Sequence, residues 1–115
     1  MPAGSYDDVI EAHATFKRTM QLFVGNAPRN LTGATIHAQL RRNVNDTSPT
    51  QAFTNGSGIT ITDALDGKFT WEIAANITAT LSGTYVYDVL IIEAGDNRIR
   101  VLEGKLTVRP AVTRV

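Results

Sequence analysis

The chain has 115 residues, a formal net charge of zero from 11 basic and 11 acidic side chains, and no cysteine. This length suits one domain with its own hydrophobic core. Because cysteine is absent, disulfides, thiolate catalysis and cysteine-based zinc sites are excluded, and folding in a reducing cytoplasm is expected. The balanced charge argues against nucleic-acid binding, and no window reaches the roughly 18 apolar residues that span a membrane. We therefore expect a soluble protein with neither of these partners.

The N-terminal residues, 1–12, mix small and acidic side chains around one apolar pair, Val9-Ile10. They lack the basic start and the apolar core of a signal peptide. We predict that they form an arm, or else a marginal edge strand, ahead of the folded domain. Deletion of the arm is expected to leave folding intact and to abolish assembly.

The next two predicted strands are residues 15–24, which lead into a turn at 25–30, and residues 34–42. In the second strand Ile36 and Leu40 lie on one face and polar side chains on the other. This alternation is typical of a strand that buries one face.

A weak strand near residues 52–54 is followed by strands at 59–62 and 68–74. In the last of these, Phe69 and Trp71 share one face. These two side chains are therefore predicted to be buried.

Residues 75–81 break the alternation, and the spacing of Ile77 and Leu81 predicts a helix of one or two turns that crosses between two sheets. Residues 84–93 form the most apolar strand and are predicted to be central. A hairpin with a Gly-Asp-Asn turn then leads into a strand at 98–109.

The apolar side chains change face within this last strand. Ile99 and Val101 are at odd positions, whereas Leu102 and Leu106 are at even positions. A strand cannot change face without an extra residue, so we predict a β-bulge between Val101 and Gly104.

Together the elements predict an all-β fold, an immunoglobulin-like β-sandwich of two sheets with about seven strands and one short helix near 75–81. The sandwich domain is expected at residues 13–109, with an N-terminal arm at 1–12 and a C-terminal tail at 110–115. Alternation along the strands places these side chains in the core: Ile36, Leu40, Phe69, Trp71, Tyr85 and Val89.

No group of residues predicts a catalytic or metal site. His13 and His37 have no carboxylate at ligand spacing, so we interpret both as solvated. Asp63 and Asp66 lack the alternating ligands of a calcium loop and are interpreted as turn residues, with Gly67 at positive φ. We predict no cofactor, no metal and no enzyme activity.

Asp88 lies on the second face of the strand at 84–93, among apolar neighbours. A strand that is apolar on both faces suggests that the second face is also covered, within the fold or by a neighbouring subunit. We predict that Asp88 forms an ion pair with Arg100 or Lys105.

A series of short motifs resembles a known family. After Thr15-Phe16 it consists of Asn-Leu-Thr-Gly-Ala-Thr-Ile at 30–36, Ile-Thr-Ile-Thr-Asp at 59–63, Asp-Gly-Lys-Phe-Thr at 66–70, Leu-Ser-Gly-Thr-Tyr-Val-Tyr-Asp at 81–88 and Leu-Glu-Gly-Lys-Leu-Thr-Val at 102–108. The series is similar to small immunoglobulin-like domains of tailed-phage structural proteins, notably the N-terminal domain of upper baseplate proteins. It also resembles short stand-alone proteins encoded among phage tail genes, and it covers about residues 12–113.

In that family the domain is an adaptor that docks to a baseplate or tail hub and carries fibres or receptor-binding parts. The resemblance implies a virion protein of a tailed bacteriophage, made in the host cytoplasm, in several symmetry-related copies that contact other virion proteins. The chain departs from that family by stopping at Val115, with no second domain or fibre shaft attached, so whether it carries a fibre stays open. The residues that the resemblance implies are structural, with Gly33, Gly67, Gly83 and Gly104 for backbone geometry and Leu31, Ile36, Phe69, Tyr85 and Leu102 for the core.

Two alternatives remain open. A capsid decoration protein of the same fold differs only in its place on the particle. A carbohydrate-binding sandwich needs an exposed aromatic platform, whereas Trp71 shares a face with Phe69, and Tyr85 with Tyr87, as buried residues do.

Overall fold

A computed structural model describes residues 4–114; the parts of the predicted arm at residues 1–3 and of the predicted tail at Val115 lie outside the described residues. The elements, in chain order, are β1 (Gly4–Ser5), β2 (Asp8–Glu11), β3 (Phe16–Gln21), β4 (Phe23–Val24), β5 (Ala27–Pro28), β6 (Thr35–Arg41), β7 (Gln51–Asn55), β8 (Gly58–Asp63), β9 (Lys68–Ile73), α1 (Ala75–Thr78), β10 (Gly83–Glu93) and β11 (Asn97–Arg109). The predicted all-β class is confirmed.

The main strands form one sheet that curls into two layers. The front layer has the order β2-β11-β10-β6-β7, with β1 also on the edge of β11, and the back layer has the order β8-β9-β3. Only two residue pairs, in parallel, join β7 to β8. The sheet folds over at this weak junction, so the inner faces of the two layers pack against each other.

This strand order is that of the immunoglobulin fold. The back layer corresponds to strands D, E and B, and β11, β10, β6 and β7 correspond to strands G, F, C and C′. Tyr85, near the start of β10, accepts a hydrogen bond on its hydroxyl from the Ser82 N–H (3.2 Å). A tyrosine in this position is a hallmark of that fold, because it closes the corner before strand F. The predicted immunoglobulin-like sandwich is therefore confirmed.

The centre of the sandwich is aromatic. The indole of Trp71 packs edge-on against Phe16 and Phe53, with ring centroids 5.6 and 5.7 Å apart, and is tilted against Tyr87 at 5.5 Å. These side chains come from both layers, so the contacts of Trp71 join the two layers of the sandwich. Seven predicted core residues are buried: Leu31, Ile36, Leu40, Phe69, Trp71, Tyr85 and Val89.

Leu102, which was also expected in the core, is only half-buried. It faces inward beside Val89, but its neighbour on the outer edge is Gly4, which has no side chain to cover it. Leu102 still packs against the core, so the prediction is confirmed in part. Its incomplete burial was not predictable, because the sequence does not show which residue of β1 lies opposite.

The change of face in β11 is explained by a bulge. Leu90 pairs with Arg100 and Val89 pairs with Leu102, so Val101 is the extra residue. It lies at the N-terminal end of the predicted interval, and the predicted bulge is confirmed.

The strand predicted at residues 15–24 is interrupted at Leu22. Gln21 pairs with Lys68, the first residue of the antiparallel partner β9. The next residue, Leu22, donates its N–H to the carbonyl of Gly67 in the turn before β9 (2.9 Å). Residues 23–28 then form their own two-stranded hairpin, β4 and β5. A single uninterrupted strand was therefore the wrong prediction.

For the N-terminal residues, the structure shows the edge strand rather than the arm. β2 pairs in parallel with β11, and Ile10 is fully buried in the core. The predicted domain boundary at residue 13 is therefore wrong, because residues 4–11 belong to the sandwich. Residues 110–114 follow β11 without a further strand or helix.

The predicted helix is present but short. α1 makes one turn, where the chain passes from β9 in the back layer to β10 in the front layer. Leu81 is buried and Ile77 is partly buried against the core, but Leu81 lies beyond the end of α1, so the two residues do not share one helix face as predicted.

Candidate interaction surfaces

Three connections meet at one end of the sandwich, which we call the loop end: residues 22–34, 63–67 and 94–96. The Leu31 N–H donates to the Ala64 carbonyl (2.8 Å), which joins the first connection to the second. An ion pair between Arg29 Nη1 and Glu93 Oε2 (3.1 Å) ties the first connection to the last residue of β10, directly before the third connection. The loop end is thus a linked surface and not three independent loops.

Gly67 is the point where two of these connections touch. Its φ is +69°, and a Cβ there would lie 2.6 Å from the Leu22 carbonyl oxygen and 2.8 Å from that of Arg29. The predicted positive φ is confirmed, and the close approach adds a second reason for glycine. Gly33 and Gly83 also have positive φ.

The loop end exposes apolar side chains. Phe23 and Val24 in the hairpin are 53% and 56% exposed, and Leu65 in the adjoining turn is 74% exposed. Single exposed apolar residues are common, but several on connections that are hydrogen-bonded to each other are typical of a contact surface. Sequence reasoning missed these residues, although an apolar Leu65 between two aspartates in a tight turn was an available signal.

The Asp63 turn itself is as predicted. The Asp66 N–H donates to Asp63 Oδ1 (3.2 Å), which is a side-chain-to-backbone turn bond. Within residues 4–114, no three histidine, aspartate or glutamate side chains are grouped to hold a metal, and no helix is long and apolar enough to cross a membrane. His13 lies in the turn after β2 and His37 in the middle of β6, so the structure does not pair them.

Residues 4–11 lie at the edge of the front layer, where β1 and β2 pair with β11. We call these residues the N-terminal segment. The segment is held by β11 through its backbone, since the Tyr6 N–H donates to the Glu103 carbonyl (2.8 Å), and through a side chain, since the Lys105 N–H donates to Asp7 Oδ1 (2.9 Å). The Tyr87 hydroxyl donates to the Tyr6 carbonyl. Burial, reinforced by the nearby acidic groups, raises the pKa of Tyr87, so its hydroxyl stays protonated to a higher pH than that of an ordinary tyrosine.

Gly104 lies under this segment. It does not have a positive φ, so the predicted role in backbone geometry is corrected. A Cβ at Gly104 would lie 2.0 Å from the Tyr6 carbonyl oxygen. The glycine is needed because another part of the backbone passes directly over it.

An ion pair links the segment to the back layer. Arg18 of β3 donates from Nε to Asp8 Oδ2 (2.6 Å) and from Nη2 to Asp8 Oδ1 (3.2 Å). Burial raises the pKa of Asp8, but the hydrogen bonds from Arg18 and the Val9 N–H, with the Arg18 charge, outweigh it and leave that pKa below its ordinary value. The ionised carboxylate therefore stabilises the docked segment.

The outer face of the front layer is a shallow, polar concavity. Asp88 pairs there with Arg100 (Oδ2 to Nε, 3.0 Å), as predicted. Arg41 and Lys105 line it together with Glu103, so both signs of charge are present. The apolar residues of β10 on this face are half-buried, and cover by a neighbouring subunit stays a prediction.

No family model and no curated protein matches the chain. Among solved structures it is similar to extracellular domains 3–5 of Drosophila OTK, at 14% identity and a TM-score of 0.41 over 97% of this chain and 34% of that one. It is also similar to AggA, the major subunit of aggregative adherence fimbriae type I from Escherichia coli, at 10% identity and a TM-score of 0.35 over 90% and 89% of the two chains. The chain thus spans only 34% of the Drosophila structure. Similarity at this level does not bear on function, and the fold assignment rests on strand order.

Proposed function

We propose that the protein is a structural virion protein of a tailed bacteriophage, an adaptor in the tail, baseplate or neck that acts through protein–protein contacts and not as an enzyme. The observation that carries the contact role is the loop end, where Phe23, Val24 and Leu65 are exposed together. The phage assignment is supported by the motif series at residues 30–108. On this proposal the protein is synthesised in the host cytoplasm and is located in the virion.

The energetics favour such a role. Burial of an exposed apolar side chain contributes roughly 1.5–3 kcal/mol, so three such residues supply part of the free energy of one contact. Association costs much of this gain, and one small patch alone supports weak binding. In a particle with several copies, linked weak contacts reinforce one another. A net charge of zero adds no repulsion between copies.

A second surface also supports assembly. In the described sheet, β3 is the last strand of the back layer and pairs only with β9. Its other edge offers backbone N–H and C=O groups to an added strand.

The test of location is mass spectrometry of purified particles, followed by gold-labelled antibody in the electron microscope. We expect the protein in virions and the label on the tail, baseplate or neck. Label on the capsid shell would favour the decoration protein instead. If mass spectrometry does not find the protein in purified virions, both structural roles are ruled out.

The test of the contact surface is Phe23→Ser with Leu65→Ser. We expect incorporation into particles to be lost while the thermal midpoint stays unchanged, because neither side chain is in the core. Val44→Ser is the matched control, since Val44 is 77% exposed in the loop between β6 and β7. Normal incorporation of the double variant would contradict the role of the loop end.

A carbohydrate-binding role is less well supported. Trp71, Tyr85 and Tyr87 are all buried, so they form no platform for a sugar ring. Quenching of Trp71 fluorescence by an added sugar, without unfolding, would reverse this preference.

A further inference from the structure

The N-terminal segment is attached to the domain as a separable strand. Among the described strands, β1 and β2 pair only with β11, over two and four residue pairs. Only Ile10 of the segment is fully buried in the core. Its removal from β11 therefore leaves the pairing of every other strand intact.

The site that receives the segment is shaped for it. Gly104 leaves room for the Tyr6 carbonyl, and the Tyr87 hydroxyl donates a hydrogen bond to that carbonyl. Arg18 holds the Asp8 carboxylate with two hydrogen bonds. These features recognise this particular sequence, and every copy of the chain carries it.

The connection to the rest of the chain is a tight turn under strain. The Ala14 N–H donates to the Glu11 carbonyl (3.2 Å), and His13 between them has a φ of +65°. Positive φ is unfavourable for a residue with a Cβ. The Ala14 carbonyl is fixed by the buried Thr78 hydroxyl (2.8 Å), so the hinge lies before Ala14. The Ala12 N–H, which donates to the Arg109 carbonyl (3.0 Å), is released with the segment.

We propose that the N-terminal segment is exchanged between copies of this chain, so that residues 4–11 of one copy dock on β11 of another. In the closed form, the segment docks on β11 of its own chain, and in the exchanged form it makes the same contacts with β11 of another copy. The two forms therefore differ in the turn at His13 and in the entropy of association. Opening the turn relieves its strain, whereas association is favoured by high local concentration. Exchange is therefore promoted inside an assembly. The proposal deepens the proposed function by naming a second copy as a partner.

The absence of cysteine makes a direct test possible. Val9 of β2 and Thr107 of β11 are partners in the parallel pair, and both are exposed. Full-length V9C and T107C chains are mixed at equal concentration, refolded together from denaturant so that slow exchange is captured, and oxidised. We expect a V9C–T107C disulfide heterodimer whose yield increases with protein concentration.

The matched control is a mixture of T84C and T107C chains. Thr84 is the partner of Thr107 on β10, and their hydroxyl oxygens are 3.4 Å apart within one chain. β10 is not exchanged, so this mixture reports random collision alone. We expect several-fold more heterodimer from V9C with T107C, and equal yields would overturn the proposal.

The turn supplies a second test. A β-branched residue tolerates positive φ poorly, whereas glycine adopts it without cost. His13→Val, introduced into the V9C and T107C chains, is expected to raise heterodimer yield several-fold, and His13→Gly is expected to lower it. Yields that do not follow this order would show that strain at His13 does not drive exchange.

These measurements need no virus particle. Heterodimers without the protein in virions would support exchange and overturn the proposed location. If the protein is found in virions but forms no heterodimers, the proposed location is supported and the exchange proposal is overturned.

Discussion

The aromatic centre around Trp71 and the N-terminal segment are both anchored in the same core, but they are held in different ways. Trp71 contacts aromatic rings from both layers, so its contacts exist only when the whole sandwich is closed. The segment has one buried side chain, Ile10, and is otherwise held by backbone hydrogen bonds to β11 and by polar contacts such as the Asp8–Arg18 ion pair. The centre is therefore expected to unfold with the whole domain, whereas the segment is able to open alone.

Trp71→Ala is the largest expected effect. It leaves a cavity between the layers and should lower the free energy of unfolding by about 3–5 kcal/mol, as measured by denaturant titration. Amide protection should fall across all strands together. A loss confined to β9 would contradict the joining role of Trp71.

Ile10→Ala should cost less, about 2 kcal/mol, at the lower end for such substitutions, because release of the segment limits the loss. Hydrogen exchange should show early exposure of residues 4–11 while β10 stays protected. Val9→Ala, beside it and 38% exposed, is the control and should change stability by less than about 0.5 kcal/mol. Equal loss of protection in β10 would show that the segment is not separable.

Gly104→Ala should displace the segment by a backbone clash and destabilise by about 1–3 kcal/mol. Gly4→Ala is the control, since a Cβ there meets its nearest atoms at 3.7 Å or more. The measurement is again hydrogen exchange at residues 4–11. Similar protection in both variants would mean that the backbone of the segment moves aside easily.

The smallest expected effect is the loss of stability at low pH when Asp8 is protonated. The folded-state pKa of Asp8 is below its ordinary value of 3.8, so its contribution is present above that pH and is lost as pH falls through the lower folded-state pKa. Because Arg18 is partly exposed, the contribution should be no more than about 1 kcal/mol. Asp8→Asn should remove this loss of stability below about pH 3.8 in denaturant titrations, and an unchanged pH dependence there would contradict the role of Asp8.

Much of the sandwich was accessible from local patterns. Alternation in β6 and β9 identified the buried faces, since period 2 reports which side of a strand meets apolar surroundings. The change of face at Val101 predicted the bulge, and the turn at Asp63 predicted its own hydrogen bond. The apolar loop end was missed because its members lie in separate connections.

The strand class, most core residues and the turns could be predicted from sequence, because each depends on side chains within a few residues of one another. The three-dimensional fold was needed to show that residues 4–11 join the sheet, that Gly104 lies under Tyr6 and that the first predicted strand is interrupted at Leu22. These features depend on partners far along the chain, namely β11 for the segment and the first residue of β9 for the interruption. Local periodicity carries no information about such partners.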